Sequence, residues 1–257
     1  NNRQSTTYQA LVAEERDDHI ALTLQTKQAG SLQEGETAIA VHYSSLNYKD
    51  ALAASKGNKV VQAYPIVPGI DLAGVVIASN DARHQEGDPV IVTGYGLGVS
   101  RDGGFGEQAR VPGDWLVPLP AGLNLEEAML LGTAGFTAAL SILKLEAAGL
   151  CPESGPVLVT GASGGVGSLA VAMLANLGYE VIAATGKETA HAYLRKIGAA
   201  DVIPREELRT EPNKPLLSGK WAGAVDAVGG EALSFIVSSL QYGGAVASCG
   251  LTAGAAV

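Results

Sequence analysis

The fold of this chain is decided by a strand, a glycine-rich turn and a helix start, which read Val157-Leu158-Val159-Thr160-Gly161-Ala162-Ser163-Gly164-Gly165-Val166-Gly167. Gly164 allows the backbone to approach a pyrophosphate, and Gly167 allows the helix to pack closely on the strand. The N-terminus of that helix offers unpaired N–H groups to a phosphate. Because a strand and a helix flank the spacing Ala162-x-Gly164-x-x-Gly167, the stretch predicts dinucleotide binding. The alternative is a glycine-rich turn that serves packing alone.

The sequence around this turn alternates between strands and helices. Continuous Val, Ile and Ala runs predict buried parallel strands at 157–160, 180–184, 201–203, 222–226 and 244–248. Helices are predicted from Asn124 to about Glu146, at 167–177 and at 191–197. This alternation predicts a doubly wound α/β domain over residues 124–257. Such a domain usually has about six strands, so the five counted here indicate that its C-terminal part is missing.

Residues 1–123 have the pattern of a β-rich domain. The stretch from Thr37 to Tyr43 alternates with a period of two, as a half-buried strand does. Further short strands are predicted at 8–13, 75–78 and 89–92. Turn signals such as Glu34-Gly35-Glu36 and Pro68-Gly69 recur at short intervals. Many short strands at this spacing predict a small barrel-like domain.

Charge and hydropathy exclude several partners. The net charge is −9, and the Lys and Arg residues do not cluster, so no nucleic-acid partner is predicted. No apolar run is judged to approach the roughly 20 residues that a membrane span needs. Residues 1–7 are polar and lack the apolar core of a signal peptide. We therefore expect a soluble, cytoplasmic protein that does not bind a membrane.

The cysteines and histidines do not form a metal site in the sequence. Cys151 and Cys249 are well separated, so they indicate two reduced thiols and neither a disulfide framework nor a zinc site. The four histidines are scattered without partners at ligand spacing, at positions His19, His42, His84 and His191. The chemistry is therefore predicted to proceed without a metal.

The second strand of the α/β domain predicts which dinucleotide is bound. A domain that binds NAD places an Asp or Glu about 20 residues after the glycine turn, where it accepts from the ribose 2′-OH. Thr185 occupies that place here, and Lys187 follows it. Removing the acid removes repulsion of a 2′-phosphate, and a cation attracts it. Tyr193 and Arg205 are close enough in sequence to add contacts, so NADPH is the predicted cofactor; in the alternative, Lys187 and Arg205 are ordinary surface charges.

Polar residues are concentrated after the strand that ends at Tyr43. The Tyr48 hydroxyl could donate a hydrogen bond to a carbonyl or to the cofactor, and the Asn47 amide could orient an oxyanion. In the alternative, Asn47 caps a helix and Tyr48 is half-buried. Asp71 lies inside an apolar run and must have partners if it is buried, so it is interpreted as structural, holding a turn.

Four segments together resemble the medium-chain dehydrogenase/reductase superfamily, in particular its zinc-free acrylyl-CoA reductase and quinone-oxidoreductase-like branch. They are Ser44-Ser45-Leu46-Asn47-Tyr48-Lys49-Asp50, Pro68-Gly69-Ile70-Asp71, Gly132-Thr133-Ala134-Gly135-Phe136-Thr137-Ala138 and Thr160 to Gly167. Zinc-dependent members have a cysteine near Asn47-Tyr48 and Gly-His-Glu at Gly69-Ile70-Asp71. The resemblance implies a GroES-like substrate domain, a Rossmann domain and a homodimer.

The resemblance also implies roles for individual residues. Tyr48 and Thr137 would lie near the nicotinamide, and Leu251 would line the cofactor channel. The pyrophosphate would contact Ser163, Gly164, Gly165 and Val166. The 2′-phosphate would be surrounded by Thr185, Gly186, Lys187 and Arg205.

The implied reaction is hydride transfer from NADPH to the β-carbon of an α,β-unsaturated acyl thioester such as acrylyl-CoA. Asn47 and Tyr48 are the candidate donors to the developing oxyanion. Two alternatives remain open. One is an NADPH:quinone or general enone oxidoreductase, and the other is a non-catalytic protein that binds NADPH as a sensor.

Overall fold

The structure is a computed structural model that describes residues 7–57, 59–209 and 216–254. Its contacts divide the chain into two compact units, Asn1–Thr133 and Ala134–Val257. The sequence pattern predicts a boundary between residues 123 and 124, and the contacts place the division later in the chain. The difference arises because the helix predicted from Asn124 is interrupted at Gly132, whose φ and ψ angles of 50° and −155° are not helical.

The first unit is built from two antiparallel sheets. Strands β1 (Thr7–Glu15) and β2 (Ile20–Gln28) pair with each other. A five-stranded sheet has the order β6-β3-β4-β5-β7. Its strands are β3 (Glu36–Tyr43), β4 (Asp71–Ser79), β5 (Pro89–Thr93), β6 (Gln108–Pro112) and β7 (Val117–Pro118). Short helix α1 (Tyr48–Ala53) connects β3 to β4. The predicted β-rich, GroES-like class is confirmed.

The polar segments that the sequence singles out lie at one end of this sheet. Tyr43 at the end of β3 pairs with Ala73 near the start of β4. Asp71, which begins β4, pairs with Thr93 at the end of β5. The start of β7 lies beside the same end of β5. Because neighbouring strands are antiparallel, the segments that follow β3 and β5 and the segments that precede β4 and β7 lie together at this end of the sheet.

The second unit is a parallel sheet with helices between its strands. The strand order is β10-β9-β8-β11-β12, and every neighbouring pair is parallel. The strands are β8 (Val157–Val159), β9 (Val181–Thr185), β10 (Asp201–Pro204), β11 (Trp221–Asp226) and β12 (Leu240–Ser248). The helices are α3 (Gly165–Asn176), α4 (His191–Lys196) and α5 (Gly230–Ser239). The order reverses at β8, as in a Rossmann-type doubly wound sheet, which confirms the predicted class.

Helix α2 (Leu125–Ala147) corrects one expectation from the sequence. It is long and apolar enough to cross a membrane by length and composition alone, with a mean hydropathy of 1.6 over an 18-residue window. From the sequence, no apolar run is expected to approach the length of a membrane span. The break at Gly132 shortens the continuous helix to roughly 22 Å at about 1.5 Å per residue, less than the roughly 30 Å of a hydrocarbon core. In addition, 44% of the window is buried in the protein.

The glycine-rich turn has the close approach that its sequence predicts. Gly161 has a φ of 57°, which places it in the left-handed region and turns the chain after β8. A Cβ atom on Gly167 would lie 2.4 Å from the Gly161 carbonyl oxygen and 2.7 Å from the Ala162 Cα. Helix α3 therefore packs on the strand end at a distance that only glycine permits.

Replacing Gly167 with alanine is expected to destabilise the protein by about 2 kcal/mol, because the new methyl group meets backbone atoms that cannot move aside. Urea unfolding followed by circular dichroism measures the loss. Gly164→Ala is the matched control, since its Cβ atom would contact only the Gly161 oxygen, at 3.2 Å. Equal losses for the two variants would show that the close approach at Gly167 does not matter.

Candidate functional site

A cavity with a volume of about 600 Å³ lies at the carboxyl ends of the parallel strands. Such strand ends are where doubly wound sheets bind ligands. The cavity is lined by residues of several loops, namely Thr160, Gly161, Ser163, Ala184, Thr185, Gly186, Lys187, Arg205, Glu206, Leu208, Arg209, Val228, Glu231, Ala232, Thr252 and Ala253. Its size is within the range of small-molecule and cofactor sites.

Thr185 stands at the end of β9 where an NAD-binding domain has an acid. Its side chain is buried, and its Oγ1 atom lies 2.9 Å from Ser163 Oγ. The same Oγ1 atom accepts a hydrogen bond of 3.1 Å from the Lys187 backbone N–H. Thr185 therefore joins the glycine-rich turn to the loop after β9 without placing a negative charge there.

Arg205 lies directly over Gly186. A Cβ atom on Gly186 would be 2.7 Å from Arg205 Nε, so a side chain at that position would push the guanidinium away. The Arg205 side chain is 74% exposed, and its Nε atom donates to Glu206 Oε1 over 3.1 Å. The lining carries three basic side chains, Lys187, Arg205 and Arg209, against two acidic ones, Glu206 and Glu231, so this rim is net positive.

The start of α3 supplies backbone donors. The N–H groups in the first turn of a helix have no acceptor within it, and no side chain caps α3 at Gly164. Ser163 lines the cavity, whereas Gly164, Gly165 and Val166 are outside the lining that the described residues form. The helix dipole and the open N–H groups suit a phosphate.

The sequence-predicted residues are gathered only in part. The cavity lining contains Ser163, Thr185, Gly186, Lys187 and Arg205. Among the described lining residues, Tyr193, Thr137 and Leu251 are absent, although Thr252 and Ala253 next to Leu251 are present. Tyr193 lies on α4 and is 49% exposed. Asn47 and Tyr48 belong to the first unit. The roles of these residues remain predictions.

Asp226 is a buried structural acid at the end of β11 that the sequence analysis missed. Its fully buried carboxylate accepts hydrogen bonds from Thr160 Oγ1 at 2.6 Å and from the backbone N–H groups of Val228 and Gly229 at 3.1 and 3.0 Å. Ser248 Oγ donates to it at 3.3 Å. The carboxylate thus ties together the ends of β8, β11 and β12. The signal was available, because an acid at the end of an apolar strand must have partners.

Asp71 plays the same part in the first unit. Its buried carboxylate accepts from Ser45 Oγ, from Asn47 Nδ2 at 2.8 Å and from the Thr133 N–H and Oγ1 at 2.9 and 2.5 Å. A Cβ atom on Gly132 would lie 2.8 Å from Asp71 Oδ2, so the non-helical glycine makes room for the carboxylate. The interpretation of Asp71 as a structural acid agrees with these contacts.

A second buried acid supports the same segment. Asp50 accepts from the backbone N–H groups of Asn47, Gly69 and Ile70 at 2.8, 3.2 and 3.0 Å. Burial raises the pKa of the Asp50 carboxyl, although these three hydrogen bonds oppose the shift. The loop before α1 and the loop before β4 are therefore held by one side chain.

Asn47 and Tyr48 face different surroundings. The Asn47 amide donates inward to Asp71, and Asn47 immediately precedes α1 at the N-cap position. The alternative from the sequence is therefore right in placing Asn47 at a helix cap, whereas Tyr48, the first residue of α1, is 64% exposed and not half-buried. The Asn47 amide has two donor hydrogens, and its commitment to Asp71 leaves Tyr48 as the more available donor.

Within 7–57, 59–209 and 216–254, no group of three or more His, Cys, Asp and Glu side chains could share a metal ion. Both cysteines are free. Burial raises the pKa of the Cys249 thiol, which favours its protonated form.

Two family models match the chain. One, described as the alcohol dehydrogenase GroES-like domain, covers residues 33–121, and the other, described as zinc-binding dehydrogenase, covers residues 165–257.

Relatives match almost the full chain. The putative quinone oxidoreductase YhfP of Bacillus subtilis is 53% identical over 98% of the chain and 77% of its own length, and its crystal structure with NAD bound superposes with a TM-score of 0.94. The probable acrylyl-CoA reductase AcuI of Escherichia coli is 49% identical over 96% of the chain and 75% of its own length. The yhdH oxidoreductase of Salmonella enterica in complex with NADP is 48% identical over 96% of the chain and 75% of that structure, with a TM-score of 0.91.

Replacing Asp71 with asparagine is expected to destabilise the protein by about 3 kcal/mol. The amide keeps one acceptor oxygen and replaces the other with a donor, so the donors of Ser45, Asn47 and Thr133 lose the negative charge and at least one of the four hydrogen bonds. Urea unfolding measures the loss. Asp114→Asn is the control, since that carboxylate is 78% exposed and its pair with Arg83 should contribute little. A loss for Asp71→Asn no larger than that of the control would contradict the structural role.

Proposed function

This chain belongs to the medium-chain dehydrogenase/reductase superfamily of oxidoreductases, and we propose that it reduces the C=C bond of α,β-unsaturated acyl thioesters such as acrylyl-CoA with NADPH and without a metal. The observation that carries the proposal is the loop after β9, where Thr185 replaces an acid and Lys187 and Arg205 line the same cavity. The proposal includes a cytoplasmic homodimer.

The residues of the cavity fit NADPH. Its 2′-phosphate would be held by Lys187 and Arg205, which lie at the rim where a negative charge at position 185 would repel it. Gly186 has no side chain that would displace the guanidinium. The pyrophosphate would meet Ser163 and the first-turn N–H groups of α3. Relatives with NADP and with NAD bound have been solved, so the choice between the two cofactors depends on this rim.

When bound, the cofactor supplies a hydride for the β-carbon of the acceptor. The Tyr48 hydroxyl, exposed at the start of α1, donates to the carbonyl oxygen on which negative charge develops. Asp71 holds the Asn47 amide next to Tyr48, and Asp50 holds the loop backbone, so the donor is positioned before the acceptor arrives. Asn47 acts in this proposal mainly by positioning that segment.

Two observations set the order of the candidate acceptors. The acyl thioester comes first because two relatives, at 49% and 47% identity, are named as acrylyl-CoA reductases. A quinone comes second because YhfP, at 53% identity, is named as a putative quinone oxidoreductase. If the protein bound NADPH but turned over neither acceptor, both candidate acceptors would be excluded.

Lys187→Ala and Arg205→Ala are each expected to raise the Kd for NADPH about tenfold, because each removes a charge-assisted contact to the 2′-phosphate. The Kd for NADH, which lacks that phosphate, should change less than about twofold. Titration of nicotinamide fluorescence measures both constants.

Lys196→Ala is the control for charge alone, since Lys196 is an exposed lysine of α4 outside the described lining of the cavity. If NADH and NADPH weakened equally in the Lys187 and Arg205 variants, the rim would not discriminate between them.

NADPH oxidation with acrylyl-CoA and with a simple quinone tests the reaction directly. The thioester is expected to be turned over faster, and Tyr48→Phe is expected to lower kcat about 100-fold with little change in the Kd for NADPH. Asn47→Ala should lower kcat less and should also destabilise the fold through Asp71.

Full activity in a Tyr48→Phe, Asn47→Ala double variant would contradict the roles proposed for Tyr48 as the donor and for Asn47 as the positioning residue. Faster turnover of the quinone would move the function to the second candidate, and no turnover of either acceptor by the unaltered protein would overturn the proposed reaction.

A further inference from the structure

Tyr95 is held in an unfavourable backbone conformation and is open to solvent. Its φ angle is 56°, and it is the one non-glycine residue with a positive φ in the described part of the chain. A bulky side chain in this region is an outlier, and such strain persists only where the surroundings impose it. The side chain is nevertheless 72% exposed, so burial of its ring does not explain the conformation.

The surroundings of Tyr95 form a layered support. Its ring is stacked on Trp115, with 5.5 Å between the ring centroids and 9° between the planes. The Arg101 guanidinium lies 5.9 Å from the Trp115 centroid and is itself paired with Glu36 over 2.5 Å. Backbone hydrogen bonds from Leu97 to Gly94 and from Gly98 to Arg101 fix the loop. One face of Tyr95 is thus covered by Trp115, and the other faces solvent.

This support lies at the same end of the sheet as α1, which begins with Tyr48. Tyr95 follows the end of β5, Trp115 precedes β7, and Asp71 begins β4 between them and α1. The Gly94 N–H donates to the Ile70 carbonyl at 3.0 Å, and the Ile70 N–H donates to Asp50. One chain of hydrogen bonds therefore connects the Tyr95 loop to the segment that positions Tyr48.

The charges around the stack favour an uncharged ring. Arg101 is paired with Glu36, and Arg83 is paired with both Asp81 and Asp114. Asp114, next to Trp115, is 78% exposed and would repel a phosphate. Aromatic rings stack in offset arrangements at the separation seen between Tyr95 and Trp115, so a further planar ring can extend the stack.

We propose that the open face of Tyr95 binds the planar ring of quinone-type acceptors and so lowers the KM for those acceptors. This inference rests on the proposed reductase function and assigns to it an acceptor subsite.

Steady-state NADPH oxidation by Tyr95→Leu with three acceptors tests the subsite. The KM for 1,4-naphthoquinone is expected to rise about fivefold, whereas the KM for acrylyl-pantetheine, which has no ring, should not change. Tyr95→Phe keeps the ring and should retain the KM of the unaltered protein. Acrylyl-CoA, whose adenine is attached to a phosphorylated ribose, should behave like acrylyl-pantetheine. Tyr242→Leu, at a fully exposed tyrosine of β12, is the control.

An unchanged KM for naphthoquinone, or an equal rise for all three acceptors, would overturn the subsite. A rise for acrylyl-CoA alone would assign the ring to adenine and also overturn it. Quenching of intrinsic fluorescence by naphthoquinone gives a Kd without turnover. If the unaltered protein turned over no acceptor, the proposed function would fail, while weaker quenching in Tyr95→Leu would still support the subsite. Tyr95→Gly, which suits a positive φ, replaces the leucine variant if that one does not fold.

Discussion

The structure depends above all on two of its buried carboxylates, each of which must collect hydrogen-bond donors because an unpaired buried charge costs several kcal/mol. Asp71 collects them from Ser45 and Asn47, which precede α1, and from Thr133, which lies 62 residues after Asp71 in the sequence. Asp226 collects them from Thr160, from the loop after β11 and from the end of β12. In each unit, one acid therefore fixes the relative positions of the loops on which function depends.

The proposed selectivity for NADPH depends on two groups that the cavity lacks, an acid at position 185 and a side chain at position 186. A threonine at position 185 accepts a local hydrogen bond and shares another with Ser163, so the loop keeps its shape without an acid. Glycine at 186 leaves room for Arg205. The two features act together, since a carboxylate at position 185 would oppose Lys187 and Arg205 in attracting the 2′-phosphate, as Glu206 beside Arg205 already does in part. In the first unit, the Asn47 amide donates to Asp71 and to Ser45, whereas the neighbouring Tyr48 is exposed.

Several elements were predictable from the sequence, and others were not. The buried strands β8, β9 and β11 were found because they are continuous apolar runs, and α3 was found because glycines mark both its ends. Strand β2 (Ile20–Gln28) was not predicted. Its positions alternate between less and more exposed, but apolar Leu24 lies on the more exposed face and is 72% exposed, so the sequence lacks the polar and apolar alternation of a half-buried strand. Helix α5 was missed because it begins with a glycine and carries three serines within ten residues. The kink at Gly132 needed knowledge of Asp71, which is distant in sequence.

The sequence by itself determined the glycine-rich turn, the missing acid at 185 and the class of both units, because these follow from backbone freedom, charge and apolar periodicity within a few residues of each other. Only the tertiary structure decided that Asp71 holds Thr133, that Arg205 overlies Gly186 and that Tyr95 stacks on Trp115. Those contacts join residues that are separated along the chain, and the pairing of the strands brings them together. Local pattern states which residues must find partners, whereas the register of the sheets decides which partners they find.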